Sequence, residues 1–309
     1  MNKFSFIFPG QGSQSVGMMA DFNDHPLIRS TFNEASDVLN VDFWKMATEP
    51  NEEINQTIHT QPILLTAGIA TWRLWQSKTD KIPSYLAGHS LGEYSALVAS
   101  DAIEFKDALK LVKFRADVMQ KAVPEGVGAM AAILGMSDEE VVNACKEAQG
   151  NEVVEAVNFN SPGQVVIAGN VLAVERAIEI AKAKGAKRAI LLPVSVPSHC
   201  SLMQKASDEL RDYLSDITIK KPAIAVIHNV DVMEHNDVSK IKDALSKQLC
   251  HPVRWVETIE KIALNKISHI AECGPGKVLT GLTKRISAEL QSTALVNENA
   301  LDEFKTLTQ

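Results

Sequence analysis

Cysteine is scarce in this chain of 309 residues: Cys145, Cys200, Cys250 and Cys273 are the only four, and no two form a CxxC pair. They are too scattered for a zinc site of ordinary ligand spacing and read as buried or idle thiols of a reducing compartment. Basic residues are outnumbered, 31 Lys and Arg against 38 Asp and Glu, for a net charge of −7. General nucleic-acid binding needs a basic footprint over phosphates, so that class is excluded apart from a local patch. Long apolar runs are also missing, since none reaches the ~18 residues that cross a bilayer. The opening MNKFSFIFPGQG has one lysine and about five strand-like residues before Pro9-Gly10, too short a stretch for a signal peptide. The chain is therefore expected in the cytoplasm, away from membranes. What remains is ordinary globular composition, 45% hydrophobic and 22% charged, enough for one large domain or a domain with an insert.

Residues 3–8 read as a strand running into the loop Pro9-Gly10-Gln11-Gly12-Ser13-Gln14. Residues 62–76 are apolar nearly all round, as a centrally buried helix would be, with Pro62 suited to its first turn. A strand over 84–89, a turn at Ser90 and helices over 91–100 and 105–123 follow. Strands alternating with helices predict a parallel sheet wrapped by helices. The rhythm changes over 127–194. A strand (127–134), a helix (137–148, with Ser137 and Glu140 in a capping-box pattern), two strands (152–160 and 164–170) joined by Ser161-Pro162-Gly163, a helix (171–184) stopped by Gly185, and a strand (186–194) give the order β-α-β-β-α-β. That is the order of a ferredoxin-like unit. The expected fold class is α/β: a large hydrolase-like parallel-sheet domain, 1–124 and 198–309, with an inserted ferredoxin-like α+β subdomain, 125–197. Linkers fall at 124–126 and 193–197. Strands at 223–229 and 268–273 and a helix at 278–290 return to the large domain.

Gly88-His89-Ser90-Leu91-Gly92 fits G-x-S-x-G. The pentapeptide alone is weak, but a strand before it and a helix after it are the setting of a nucleophile elbow. The sharp turn exposes the serine oxygen, glycines admit neighbouring backbone, and the helix start offers N–H groups to an oxyanion. The competing reading is a helix N-cap serine with packing glycines. A serine nucleophile needs a base. Among eight histidines, His199 sits in a loop just after a strand, where catalytic groups are held on a rigid frame, although an ordinary hydrogen-bonded histidine fits that place too. His89, next to Ser90, should point elsewhere. No third member can be picked from sequence: an acidic residue or a backbone carbonyl would serve. On the 105–123 helix, Phe105, Ala108, Val112, Arg115, Met119 and Ala122 form one face, apolar except for the arginine. A buried guanidinium needs an anion. It is either a structural ion-pair partner, a snorkelling stem, or a fork for a substrate carboxylate. The loop at 9–14 lacks the third glycine of a dinucleotide fingerprint, and its Gln11 N–H could serve an oxyanion instead. Gly274-Pro275-Gly276-Lys277 is a tight turn or, with Lys284 and Arg285, part of a basic surface.

Taken together, FPGQGSQ at 8–14, Gln61-Pro62, AGHSLGEYSAL at 87–97, Arg115, NFNSPGQVVIAG at 158–169, VPSH at 196–199, HNV at 228–230 and GPGKVLTGLTKR at 274–285 resemble malonyl-CoA:acyl carrier protein transacylases of type II fatty acid synthesis. The likeness runs in order from about residue 3 to 286. It implies Ser90 as the nucleophile that carries malonyl, His199 as its base and the Gln248 backbone carbonyl as the group holding that histidine, so that no aspartate is needed. It implies the backbone N–H groups of Gln11 and Leu91 as the oxyanion hole and Arg115 as the clamp for the malonyl carboxylate. Gln61, Asn158 and Gln164 would line the acyl or coenzyme A channel. The implied partners are malonyl-CoA, as substrate, and acyl carrier protein; no cofactor and no metal is implied. Residues 231–235 depart from the pattern and are expected to affect only a surface loop. A serine hydrolase and a non-catalytic nucleotide binder are the competing functions. An acidic carrier would need a local basic patch, for which Lys277, Lys284, Arg285, Lys182, Lys184, Lys187 and Arg188 are candidates.

Overall fold

A computed structural model describes residues 3–22, 24–194 and 196–309. Residues 1 and 2, at the start of the expected large domain, and Ser195, inside the expected second linker, lie outside the described residues. The chain opens with β1 (Phe4–Phe8), α1 (Pro26–Leu39), α2 (Phe43–Thr48), α3 (Thr57–Lys78), β2 (Tyr85–Gly88), α4 (Gly92–Ala99) and α5 (Phe105–Ala122). There follow β3 (Gly128–Leu134), α6 (Asp138–Gln149), β4 (Val154–Ser161), β5 (Gln164–Asn170), α7 (Val171–Ala183) and β6 (Arg188–Leu191). The last part holds α8 (Gln204–Asp216), β7 (Ala225–Ile227), α9 (Val238–Lys247), α10 (Trp255–Leu264), β8 (His269–Glu272), α11 (Val278–Ile286), β9 (Gln291–Ala294) and α12 (Glu298–Leu307).

Among the described residues the strands form two sheets. One is parallel, in the order β7-β2-β1-β8-β9, and the other antiparallel, in the order β4-β5-β3-β6. The second order, with its βαββαβ connectivity, is ferredoxin-like. β1 is buried along its whole length, as a central parallel strand covered on both faces must be. Phe4, Phe6 and Phe8 face α3 and α12, where Phe6 meets Trp72, Trp75 and Phe304 at ring-centroid distances of 5.3, 5.2 and 5.7 Å. Ile7 faces the other side and packs with Trp255, Ile259 and Ile262 of α10. A cluster of aromatic rings from β1, α3 and α12 thus fixes the strand whose end meets the elbow.

Several expected boundaries shift. The central helix begins at Thr57, so Pro62 lies inside it rather than in its first turn. There it removes the N–H that would have bonded to Ile58. The mostly polar run 57–61 concealed this start, because Gln61 faces the protein interior and is fully buried. β6 covers four residues rather than nine. Among the described residues it is an edge strand paired only with β3, over Arg188 to Leu191, and Pro193 cannot extend a ladder. β7 covers three residues, since His228 and Asn229 leave the sheet to bond with side chains. The helix expected over 278–290 stops at Ile286, and β9 follows at the sheet edge; its polar sequence QSTA carried no strand signal. The Ser137 capping box is formed as expected, Glu140 N–H donating to Ser137 Oγ at 3.3 Å and Ser137 N–H to Glu140 Oε2 at 2.8 Å.

Parallel register pairs Phe8 with Gly88 and Ile7 with Glu272. The loops after β1, β2 and β8 therefore leave one edge together, where open α/β sheets place their sites. Close approach there depends on two glycines. A Cβ on Gly88 would lie 1.9 Å from Gly92 C, and one on Gly92 would lie 2.0 Å from Phe8 O. Because these contacts are to backbone, no rotamer change relieves them. Gly88→Ala or Gly92→Ala should each cost at least about 3 kcal/mol in urea unfolding; a loss below about 1 kcal/mol would show that the strand and helix can part.

Candidate active site

Ser90 occupies the turn between β2 and α4 with φ 50°, a left-handed conformation that costs a serine about 1–3 kcal/mol. Asn229, buried just after β7, braces both sides of that turn. It accepts from Ser90 N–H at 2.8 Å and donates to Gly88 O at 2.7 Å. Ser90's own N–H is thereby committed to the frame.

His199 reaches the same place from the segment after β6. Its φ is 68° and its N–H donates to Leu249 O at 2.9 Å. Nδ1 lies 2.7 Å from Gln248 O and Nε2 lies 2.8 Å from Ser90 Oγ. A carbonyl can only accept, so Nδ1 carries the proton and Nε2 presents its lone pair to the Ser90 hydroxyl. Burial, then the neighbouring Arg115 charge, push the His199 pKa down to about 3, with the Gln248 carbonyl opposing. At neutral pH the imidazole is uncharged, as a general base must be.

Arg115, on α5, is fully buried together with Phe105, Ala108, Val112 and Met119 of its face. Nη1 donates to Gln61 Oε1 at 2.7 Å, and Nη2 to Gln248 Oε1 at 2.9 Å and to Ser90 Oγ at 3.1 Å. Its Cζ stands 5.4 Å from the centroid of the buried Tyr94 ring, within cation–π range. Burial lowers the arginine pKa, yet the guanidinium starts so high that it stays a cation. Among the described residues it forms no direct ion pair with a carboxylate. The structural ion-pair reading left open by the sequence is therefore not the one adopted, and the stem does not reach solvent.

The loop after β1 lies against the elbow, for a Cβ on Gly10 would come 2.5 Å from His89 O. Within the loop, Gly12 N–H donates to Gln14 Oε1 and Ser13 N–H to Gly10 O. Among the described residues the backbone N–H groups of Gln11 and Leu91 have no acceptor. Leu91 follows the serine directly, and Gln11 lies on the loop that packs against the elbow. The structure thus brings Ser90, His199, Gln248, Arg115, Gln61, Leu91 and Gln11 into one cluster. It does not bring Asn158 or Gln164 into hydrogen bonding with them. Gln164 accepts from Arg285 at 2.7 Å, and Asn158 Oδ1 is buried without a partner among the described residues. The strand residue that does reach the elbow is Asn160, which accepts from His89 Nε2 at 2.8 Å while the His89 ring lies against Trp255.

Sequence reading gave no role to Asn160, Asn229, Glu93 and His228, although they lie within the motifs at 87–97, 158–169 and 228–230, nor to the side chain of Gln248. Gln248 Nε2 donates to Ser90 O at 3.0 Å and to Glu93 Oε2 at 2.8 Å. Glu93 is fully buried on α4; it also accepts from Asn229 N–H at 3.0 Å and His228 Nδ1 at 2.7 Å. A glutamate in the first turn of an otherwise uncharged, almost entirely buried helix was the available signal. Residues 231–235 are not merely a surface loop: the His235 ring stacks on His228 at 5.1 Å, and Glu234 pairs with Lys261 at 3.0 Å. Of the basic residues, Lys182 and Lys184 are paired with Glu179 and Glu147, while Lys277 and Lys284 are exposed.

Among the described residues no cluster of three or more His, Cys, Asp or Glu could hold a metal ion, and no helix is long and apolar enough to cross a membrane. A serine hydroxyl between a neutral imidazole and a cation, with N–H groups to spare, is equipment for acyl transfer through serine. The chain belongs to the acyl transferase family, whose domain matches residues 5–296, and within it to the malonyl CoA-acyl carrier protein transacylases. It is 53% identical to the malonyl CoA-acyl carrier protein transacylase of Haemophilus influenzae over 98% of this chain and 99% of that protein. The protein of the same description from Bacillus subtilis is 41% identical, over 98% and 96%. Among solved structures, the acyl-carrier-protein S-malonyltransferase from Burkholderia pseudomallei superposes with a TM-score of 0.96 at 55% identity, covering 98% of this chain and 99% of that one. A malonyl-transacylase in complex with its type II PKS acyl-carrier protein superposes with a TM-score of 0.95 at 51% identity, covering 97% and 98%.

The depressed His199 pKa has a stability consequence. Above its ordinary value of 6.5 neither state binds the proton. Below it the unfolded chain does and the native protein does not, so stability falls as pH drops from 6.5 towards about 3. Between pH 6.5 and 4.5 this residue should account for about 2–3 kcal/mol of the loss. His199→Gln should flatten the urea-unfolding profile by that amount; parallel profiles would mean that the histidine titrates normally.

Proposed function

We propose that Ser90 carries the malonyl group as an ester while this enzyme moves it from malonyl-CoA to the phosphopantetheine thiol of acyl carrier protein. The observation that carries this reading is the single hydroxyl within reach of both His199 Nε2 and Arg115 Nη2. His199 takes the Ser90 proton as Oγ attacks the thioester carbonyl carbon. The oxyanion rests on the Gln11 and Leu91 N–H groups, each worth about 3 kcal/mol of barrier. The carbonyl re-forms, the carbon–sulfur bond breaks, and His199 returns the proton to the coenzyme A thiolate. The carrier thiol then enters, gives its proton to His199, and attacks the malonyl ester. Collapse of that second intermediate frees Ser90 Oγ, which takes the proton back. Gln248 O holds the imidazole throughout, as an aspartate would in other serine enzymes. Arg115 takes the malonyl carboxylate by its donors, and Gln61 fixes one side of that fork.

In this reading residues 125–197 are a subdomain inserted between 1–124 and 198–309, and its β4 and β5 contribute the acyl-channel wall, through Asn158 and Gln164 respectively. Lys277, Lys284 and Arg285 are the face offered to an acidic carrier. The proposed chemistry needs no cofactor, and the reading assigns the enzyme to the cytoplasm, supplying malonyl carrier protein for fatty acid elongation.

Mass spectrometry of the protein mixed with malonyl-CoA should find a malonyl adduct on the Ser90 peptide, absent from Ser90→Ala; rapid free malonate with no adduct would point to a hydrolase instead. Arg115→Ala should lower kcat/KM for malonyl transfer by about 2–5 kcal/mol, the loss typical of truncating one partner of a buried charge pair. Transfer of acetyl should be spared or improved; equal losses for both acyl groups would remove the clamp role.

A further inference from the structure

A buried guanidinium needs a counter-charge even before substrate arrives, and Arg115 has no carboxylate against it among the described residues. The chain of hydrogen bonds leads to one all the same. Arg115 Nη2 donates to Gln248 Oε1, and Gln248 Nε2 donates to Glu93 Oε2. Arginine, amide and carboxylate are each fully buried. The amide orientation is fixed from both ends, because only its oxygen can face the guanidinium and only its nitrogen the carboxylate. Glu93 is in turn fixed by Asn229 N–H and His228.

We propose that Glu93 is the counter-charge of Arg115, held one amide away through Gln248 so that it compensates the cation without occupying its fork. A carboxylate in direct contact would have to be displaced by every malonyl group. With none at all, the cation would hold any small carboxylate so firmly that transfer slowed. Glu93 is thus a positioning and specificity-setting residue for the site; the inference rests on the reading of Arg115 as the carboxylate clamp. It also gives Gln248 two separate tasks, its carbonyl for His199 and its side chain for Arg115.

The test is titration calorimetry of free malonate against the wild-type enzyme and Glu93→Gln, which keeps the shape and removes the charge. Malonate should bind the variant roughly 10- to 100-fold more tightly, the effect of removing a like charge a few ångströms further away at a protein-like dielectric. The malonyl-transfer KM and kcat should both fall. A purely structural role predicts weaker malonate binding, and unchanged or weaker binding would overturn the proposal. The charge-free double variant Glu93→Gln/Arg115→Met covers the case in which Glu93→Gln alone fails to fold. It should be more stable than Glu93→Gln in urea, and equal or lower stability would overturn the proposal too. Calorimetry and unfolding need no turnover. Absence of a malonyl-serine adduct would therefore defeat the catalytic reading without deciding this one.

Discussion

Ser90 Oγ lies 2.8 Å from His199 Nε2 and 3.1 Å from Arg115 Nη2, and the rest of the site follows from keeping the first of those neighbours neutral and the second charged. Both are buried. Burial strips water from the imidazole and leaves it neutral, while the arginine, with a much higher intrinsic pKa, keeps its proton. The cation then reinforces the neutrality of the imidazole by repulsion. One desolvated environment thus supplies both a base and a cation at one oxygen.

Such an environment has to be held open against strain. Ser90 and His199 both sit at positive φ, and neither conformation is favourable for its residue type. The bracing is done by side chains that touch no reacting atom in the proposed chemistry. Asn229 fastens the strand and the turn to each other, and Glu93 orients Asn229 and Gln248 together. Below them the aromatic packing on β1 fixes the strand that leads into the loop at Gln11 and pairs with β2, which ends at the elbow. Core, frame and site are consecutive layers of one construction, and the two glycines at 88 and 92 let them approach.

Much of this was legible in the amino-acid order, for identifiable reasons. The elbow shows because strand, glycine, serine and helix are contiguous. Arg115 shows because a single charge interrupts an apolar helical stripe. The βαββαβ unit shows because its capping box, turn and glycine stop are local chemistry. Gln248 was named only through family resemblance, and only for its carbonyl. Its side chain, like Asn229 and Glu93, depends on contacts spanning 133 to 158 residues in sequence, and no periodicity encodes those. Asn158 and Asn160 illustrate the same limit. The register shifts along β4 decide which asparagine meets His89, and a shift of that kind leaves no mark on the alternation of residues. Pro62 misled because the mostly polar stretch before it, of which Thr60 and Gln61 are buried, looked like the loop before a helix.

The central claim concerns where one proton sits, and nitrogen NMR of histidine-labelled enzyme at neutral pH reads it directly. The account predicts a His199 ring protonated at Nδ1 and bare at Nε2, with the Nδ1 proton in a hydrogen bond to a carbonyl. An imidazolium, or the tautomer protonated at Nε2, would leave Ser90 without a base and contradict it.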